Sequence, residues 1–213
     1  MSRALASDDG AAGGSCSGSE APMLVLGLCG RLGTGKDTVA DILEAKHGFR
    51  RASFASALKD VVAAAFGWDR DLLEGRTAES RAWREQRDPF WSTALDIPEL
   101  TPRRALQVLG TDLVRERFHT DFWLWALSRG IKQGKYGRRV VITDCRFENE
   151  VAMVRGFGGT VVCVQRGSPP EGVGSEDRSL DNNGTLDDLD KTICGMVGAL
   201  ASPSTPAGGG VLE

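Results

Sequence analysis

The run Gly30-Arg31-Leu32-Gly33-Thr34-Gly35-Lys36-Asp37-Thr38 carries the clearest chemistry in the chain. Its first seven positions fit the pattern G-x-x-x-x-G-K. In that pattern glycines let backbone N–H groups turn inward around an anion, and the lysine reaches the outer phosphates. Gly30, Gly33, Thr34, Gly35 and Lys36 are therefore expected to grip a triphosphate, with Lys36 between its β and γ phosphates. Asp37 stands where the pattern has Ser or Thr, and Thr38 follows one place later. Magnesium is accordingly expected to be held through phosphates and water, with Asp37 and Thr38 beside it.

A second chemical cluster lies more than one hundred residues downstream. Val140-Val141-Ile142-Thr143 is a continuous β-branched run ending on Asp144, with Arg146 two residues on and Glu150 closing the segment. A carboxylate at the carboxyl end of a buried strand is placed to orient hydrated magnesium, or to cap a nearby helix. Arg146 could meet a phosphate bidentately, or pair with Glu150 at i,i+4 spacing. Arg103 and Arg104 fall in the first turn of a helix, where cations oppose the dipole by about 0.3–1 kcal/mol each, which suggests an anion nearby. Arg103, Gln107, Gly110 and Thr111 share one face at helical spacing, either against a nucleotide or against solvent. Lys59 could reach an acceptor phosphate, and Trp91 and Trp123 could stack on a base or simply fill a core.

These residues need a scaffold, and the patterning supplies one. Met23 to Cys29 reads as a strand, Val39, Ile42 and Leu43 as a helix closed by Gly48, and Arg51 to Phe54 as a second strand. Leu58, Val61, Val62, Ala65 and Phe66 mark a helix stopped by Gly67. Residues 68–135 read as a helical acceptor-binding insertion. Within it Thr101 is the N-cap of a helix with Pro102 at its first position and Ala105, Leu106, Leu109 and Leu113 inward, and a further helix covers Phe122 to Ile131. Strands at 140–143 and 161–164 and a last helix from Leu186 to Leu200 complete the core. The alternation predicts an α/β fold with a doubly wound, mainly parallel sheet flanked by helices.

Composition narrows the partners. The 213 residues are 41% hydrophobic, enough for one domain, expected over 23–200 between a disordered leader (1–22) and tail (201–213). A formal net charge of −3 recruits no polymeric nucleic acid, and no stretch approaches the roughly 18 apolar residues of a membrane span. Five scattered cysteines without a C-x-x-C pair and only two histidines argue against disulfides and zinc, and fit a cytoplasmic protein. A homodimer is compatible with all of this.

Taken in order, Lys36-Asp37-Thr38, Ala57-Leu58-Lys59-Asp60, Thr101-Pro-Arg-Arg-Ala-Leu-Gln-Val-Leu-Gly-Thr-Asp112 and Val141-Ile-Thr-Asp144-Cys-Arg146-Phe-Glu-Asn-Glu150 resemble the phage- and virus-type deoxynucleoside monophosphate kinases over roughly residues 23–200. The resemblance implies a five-stranded nucleoside monophosphate kinase-like sheet, with Asn183 to Leu189 at its final strand-to-helix junction. It also implies transfer from ATP, with Mg²⁺, to a deoxynucleoside monophosphate, with Lys36, Asp144 and Arg146 catalytic. Lys59, the Arg103 helix and the loop after Asp144 would contact the acceptor. Relatives often carry His where this chain has Val173, so the lid over ATP is left open. Two other readings stand beside it: a kinase for phosphomevalonate or dephospho-coenzyme A, and an ATP-binding module that transfers nothing.

Overall fold

In a computed structural model the described residues are 23–167 and 176–201. The expected leader, the residues after 201 and most of the lid segment lie outside them. Five strands form one sheet: β1 (Leu24–Cys29), β2 (Arg50–Ala52), β3 (Arg139–Ile142), β4 (Thr160–Gln165) and β5 (Arg178–Asp181). All pairings are parallel, in the order β2-β3-β1-β4-β5.

The strands are apolar on both sides because both sides are covered. Val25, Val140, Ile142, Val161 and Cys163 face Leu127 and Ile131 of α7 (Phe122–Lys132) and Val151 and Val154 of α8 (Glu148–Gly156). Leu26, Leu28, Val141, Val162 and Val164 face Val39 and Leu43 of α1 (Lys36–His47) and Leu189, Ile193 and Val197 of α9 (Leu186–Ala201). The chain leaves β1 toward β2 and leaves β3 toward β4 on the other side. The neighbouring carboxyl ends of β1 and β3 therefore diverge, which opens a crevice at that edge.

A separate helical layer stands over the crevice. It contains α2 (Ser56–Phe66), α3 (Arg70–Glu74), α4 (Ala78–Arg84), α5 (Pro89–Ala94) and α6 (Pro102–Gln107). Leu58, Val62, Leu73 and Trp123 form its core with Trp68, Trp83, Leu106 and Leu109. Asp69, Thr77, Asp88 and Thr101 cap α3 to α6 with their own side chains, so this layer satisfies its helix starts locally. Helix α7 serves both layers, with Trp123 in one and Leu127 in the other.

Several expectations are corrected. The second strand is only Arg50–Ala52, because the next N–H groups turn to side chains instead of a neighbouring strand: Ser53 donates to Ser56 Oγ and Phe54 to Asp144 Oδ1. The helix begun at Thr101 stays α-helical only to Gln107 and continues as a π-helical segment, Val108–Phe118. The i→i+5 spacing of that segment departs from the α period on which Leu113 was expected to be buried, and Leu113 is 43% exposed. Val61 is also exposed, since α2 buries Leu58 and Val62 instead. The fifth strand, Arg-Ser-Leu-Asp, buries only Leu180 and was not located from its residues.

Candidate active site

The glycine-rich loop leaves β1 at Gly30 and enters α1 at Gly35. Gly30, Gly33 and Gly35 have φ of 132°, 82° and 96°, a region that side chains avoid. A Cβ on Gly30 would strike the Val164 carbonyl, and one on Gly35 would strike Asn182 Nδ2. Gly35 offers α1 no side-chain cap, so the first-turn N–H groups are left for an anion. Lys36 Nζ curls back to donate to the carbonyls of Gly30 and Arg31, both at 2.8 Å. Burial, and then the nearby Arg146 guanidinium, hold the Lys36 pKa below the usual lysine range.

Two residues without a local motif brace this loop. Asn182, buried at the end of β5, donates through Nδ2 to the Thr34 carbonyl at 2.8 Å. Arg51, whose side chain is only 6% exposed, pairs with Asp37 at 3.1 Å, Asp41 at 2.6 Å and Glu44 at 3.2 Å. Asp37 is thus held by a guanidinium on the outer face of α1, while Thr38 is half-buried in the first turn.

Asp144 emerges from β3 across the crevice. Its carboxylate accepts from the N–H groups of Phe54 (3.0 Å) and Ala55 (3.3 Å), so the helix start it serves is that of α2, not the next one in sequence. Burial pushes its pKa up to about 6 and Glu150 adds to the rise, while the two N–H donors and Lys59 pull it down. Glu150, 3% exposed, accepts from the N–H groups of Arg146 (2.7 Å) and Phe147 (3.1 Å) through one oxygen. Its other oxygen meets Arg115 at 3.2 Å. Of the two readings of Arg146, the i,i+4 ion pair with Glu150 does not form, since Glu150 takes the backbone N–H instead, and the Arg146 guanidinium is left without a hydrogen-bonding partner among the described residues.

Two cavities meet at Asp144 and Arg146. The larger, about 910 Å³, is lined by charged groups that include Arg51, Lys59, Arg70, Glu74 and Lys135. Lys59 lies there bound to Glu74 at 2.6 Å, and Arg70 pairs with Glu74 and Asp60. The smaller, about 220 Å³, is lined by Leu58, Leu106, Gly110, Thr111, Arg115 and Trp123, among others. It opens where the π-helical segment closes on α2: a Cβ on Gly110 would meet Leu58 Cδ2 at 2.6 Å, and the Gly110 carbonyl accepts from Trp123 Nε1 at 3.0 Å.

The structure thus gathers Lys59, Gly110, Thr111, Trp123, Asp144, Arg146 and Glu150 around these cavities. It sets four other expected acceptor residues apart. Arg103 pairs with Glu85 at 2.6 Å, Arg104 donates to the Pro98 carbonyl, and Gln107 is exposed; none of the three lines either cavity. The shift to π-helical bonding after Gln107 separates the face that Arg103 and Gln107 were expected to share with Gly110 and Thr111. Trp91 donates to the Phe66 carbonyl at 3.0 Å and packs edge-on against the Phe66 ring, so it belongs to the aromatic core. Residues missed from the sequence are Arg51, Arg70, Glu74, Arg115 and Asn182. Each acts at least in part through a partner distant in sequence or on another element; the local signals were the i,i+4 spacing of Arg70 and Glu74 and the place of Asn182 next to the Asn183 junction.

The profile of the deoxynucleotide monophosphate kinase family matches residues 79–193, more than half of the chain. A protein of Acanthamoeba polyphaga mimivirus with the provisional name deoxynucleotide monophosphate kinase is 30% identical over 167 residues, 73% of this chain and 78% of its own. The deoxynucleoside-5'-monophosphate kinase of Escherichia phage T5 is 26% identical over 180 residues, 62% of this chain and 72% of its own. Among solved structures, the Mycobacterium tuberculosis APS kinase CysC in complex with AMPPNP and APS aligns over 83% of this chain and 99% of that one, at 13% identity and a TM-score of 0.42. Among the described residues no helix is long and apolar enough to cross a membrane.

Proposed function

The chain belongs to the deoxynucleotide monophosphate kinase family, and from that premise we propose that it moves the γ-phosphoryl group of ATP onto a deoxynucleoside monophosphate, giving ADP and the diphosphate. The observation that carries this reading is the placement of three groups that lack an anion on one edge of the sheet, at the carboxyl ends of the paired strands β1 and β3. These are the uncapped start of α1, Lys36 beside it, and the unpartnered Arg146 guanidinium at the mouth of both cavities.

The acceptor needs little activation, because a phosphate monoester has its second pKa near about 6 and is largely dianionic at neutral pH. One of its oxygens attacks the γ phosphorus in line, the new P–O bond forms, and the bond from the γ phosphorus to the β–γ bridging oxygen breaks as ADP leaves. Repulsion between two anions is the barrier. Lys36 and Arg146 lower it from the donor and acceptor sides, and the first-turn N–H groups of α1 hold the donor phosphates. Lys59, poised on Glu74, adds positive charge to the larger cavity. Asp144 is locked by the Phe54 and Ala55 amides, and Glu150 fixes the loop that aims Arg146.

Among the described residues no group of three or more His, Cys, Asp or Glu forms a cage for a metal. One carboxylate, Asp144, and one hydroxyl, Thr38, fit magnesium that arrives on the phosphates with most of its waters. Bound there it would offset charge on the transferring group.

ADP release measured over all deoxy- and ribonucleoside monophosphates tests the reading. Base-dependent turnover is expected, and that result excludes phosphomevalonate and dephospho-coenzyme A as the true acceptors. Absence of ADP with every monophosphate refutes the proposal.

A further inference from the structure

Resting on the kinase reading above, the residue that follows β5 gains a part in holding the donor. Asn182 is anchored to the sheet, its own N–H donating to the Gln165 carbonyl of β4 at 2.8 Å. Its side chain is buried and donates through Nδ2 to the Thr34 carbonyl at 2.8 Å, across 148 residues of chain. Thr34 is buried as well, while Gly35 beside it is half-exposed. The peptide between them therefore keeps its oxygen inside.

A trans peptide is planar, so its C=O and N–H point in opposite directions, and no peptide bond among the described residues is cis. With the Thr34 oxygen held by Asn182, the Gly35 N–H faces away from Asn182 and has no hydrogen-bonding partner among the described residues. Gly35 is left-handed and Lys36, which opens α1, is right-handed. That alternation curves the N–H groups of Gly35, Lys36 and Asp37 around one point, a concavity that suits an anion.

Glycine alone does not fix this arrangement. Flipping the Thr34–Gly35 peptide takes Gly35 from its φ of 96° to a negative φ that glycine adopts about as readily, and the Gly35 N–H then leaves the concavity. Asn182 opposes the flip, because it would leave two buried polar atoms, Nδ2 and the Thr34 oxygen, without each other. The two residues also require one another sterically, since a Cβ at position 35 would strike Nδ2.

We infer that Asn182 is a positioning residue for the donor phosphates: by holding the Thr34 carbonyl it selects the one peptide orientation in which the Gly35 N–H meets the anion. An acceptor in its place fails, because the atom it must hold is itself an acceptor.

Amide NMR spectra with inorganic tripolyphosphate, together with steady-state kinetics, test this on the wild-type protein, Asn182→Ala and Asn182→Asp. In the wild type the Gly35 amide proton is expected to move downfield with those of Lys36 and Asp37. In Asn182→Ala the Gly35 shift is expected to vanish, and the tripolyphosphate Kd and the KM for ATP to rise together by about fivefold or more. The KM for the monophosphate stays within about twofold, since the acceptor side is untouched. Asn182→Asp keeps the shape without the donor and is expected to behave as Asn182→Ala. A lower melting temperature with the Gly35 shift retained, or an equal rise in both KM values, means that Asn182 only packs and overturns the inference. A Gly35 amide that stays still in the wild type while Lys36 and Asp37 move overturns it without any variant. If neither tripolyphosphate nor ATP binds the wild type, the kinase reading falls and takes this inference with it.

Discussion

On the proposed kinase reading, the two sides of the crevice would recognise phosphate by different means. The donor side is built from backbone: one contiguous loop, three glycines at positive φ and a helix start left uncapped. The acceptor side is built from side chains, with Arg146 aimed by Glu150, Glu150 shared with Arg115 from the π-helical segment, and Lys59 paired across to Glu74 on α3. A backbone site tolerates most change around it but not within the loop. A side-chain site can be retuned one partner at a time.

The largest expected effect probes the donor side. Lys36→Ala should lower kcat/KM by about two to three orders of magnitude while the melting temperature stays within a few degrees, because Lys36 Nζ holds only two loop carbonyls. Near wild-type turnover would break the contrast. Gly35→Ala should cost about 1–3 kcal/mol of stability and most of the ATP affinity, since its φ of 96° disfavours a Cβ that would also strike Asn182. Denaturant melts and ATP titration check both halves.

On the acceptor side Glu150→Gln should cost about 1–3 kcal/mol and raise the KM of the monophosphate while leaving that of ATP alone. An equal rise in both would show that the two sides are not separable. Asp144 links them through pH. Its folded pKa of about 6 lies above the ordinary 3.8, so the stability it contributes is complete below pH of about 4 and is lost as pH rises through 6. Asp144→Asn in the apo protein should therefore gain on the wild type across that window, as read by melts from pH 4 to 8. Smallest of all, Arg103→Ala should shift stability by under about 0.5 kcal/mol and leave both KM values within twofold, because its pair with Glu85 is exposed.

The same contrast explains what could be read from the sequence. A backbone site announces itself, since its glycines, lysine, strand and helix are neighbours in the chain. The Asp144 strand was legible too, as an unbroken apolar run. Arg115 was not, because its meaning depends on Glu150, 35 residues away, and on a helical period that changes at Val108. Arg103 misled for the converse reason: its place in a first turn suggested an anion, and Glu85 supplies one. β5 has one inward residue, too few for an alternating pattern.

The central proposal is that phosphoryl transfer occurs between the glycine-rich loop that carries Lys36 and the loop after β3 that carries Arg146. Incubating the protein with ATP labelled at its γ phosphate and each deoxynucleoside monophosphate in turn tests it most directly. Label in the β position of a deoxynucleoside diphosphate, lost in Lys36→Ala, is the predicted result. Label appearing only as inorganic phosphate, or remaining on ATP with every acceptor, would contradict the account.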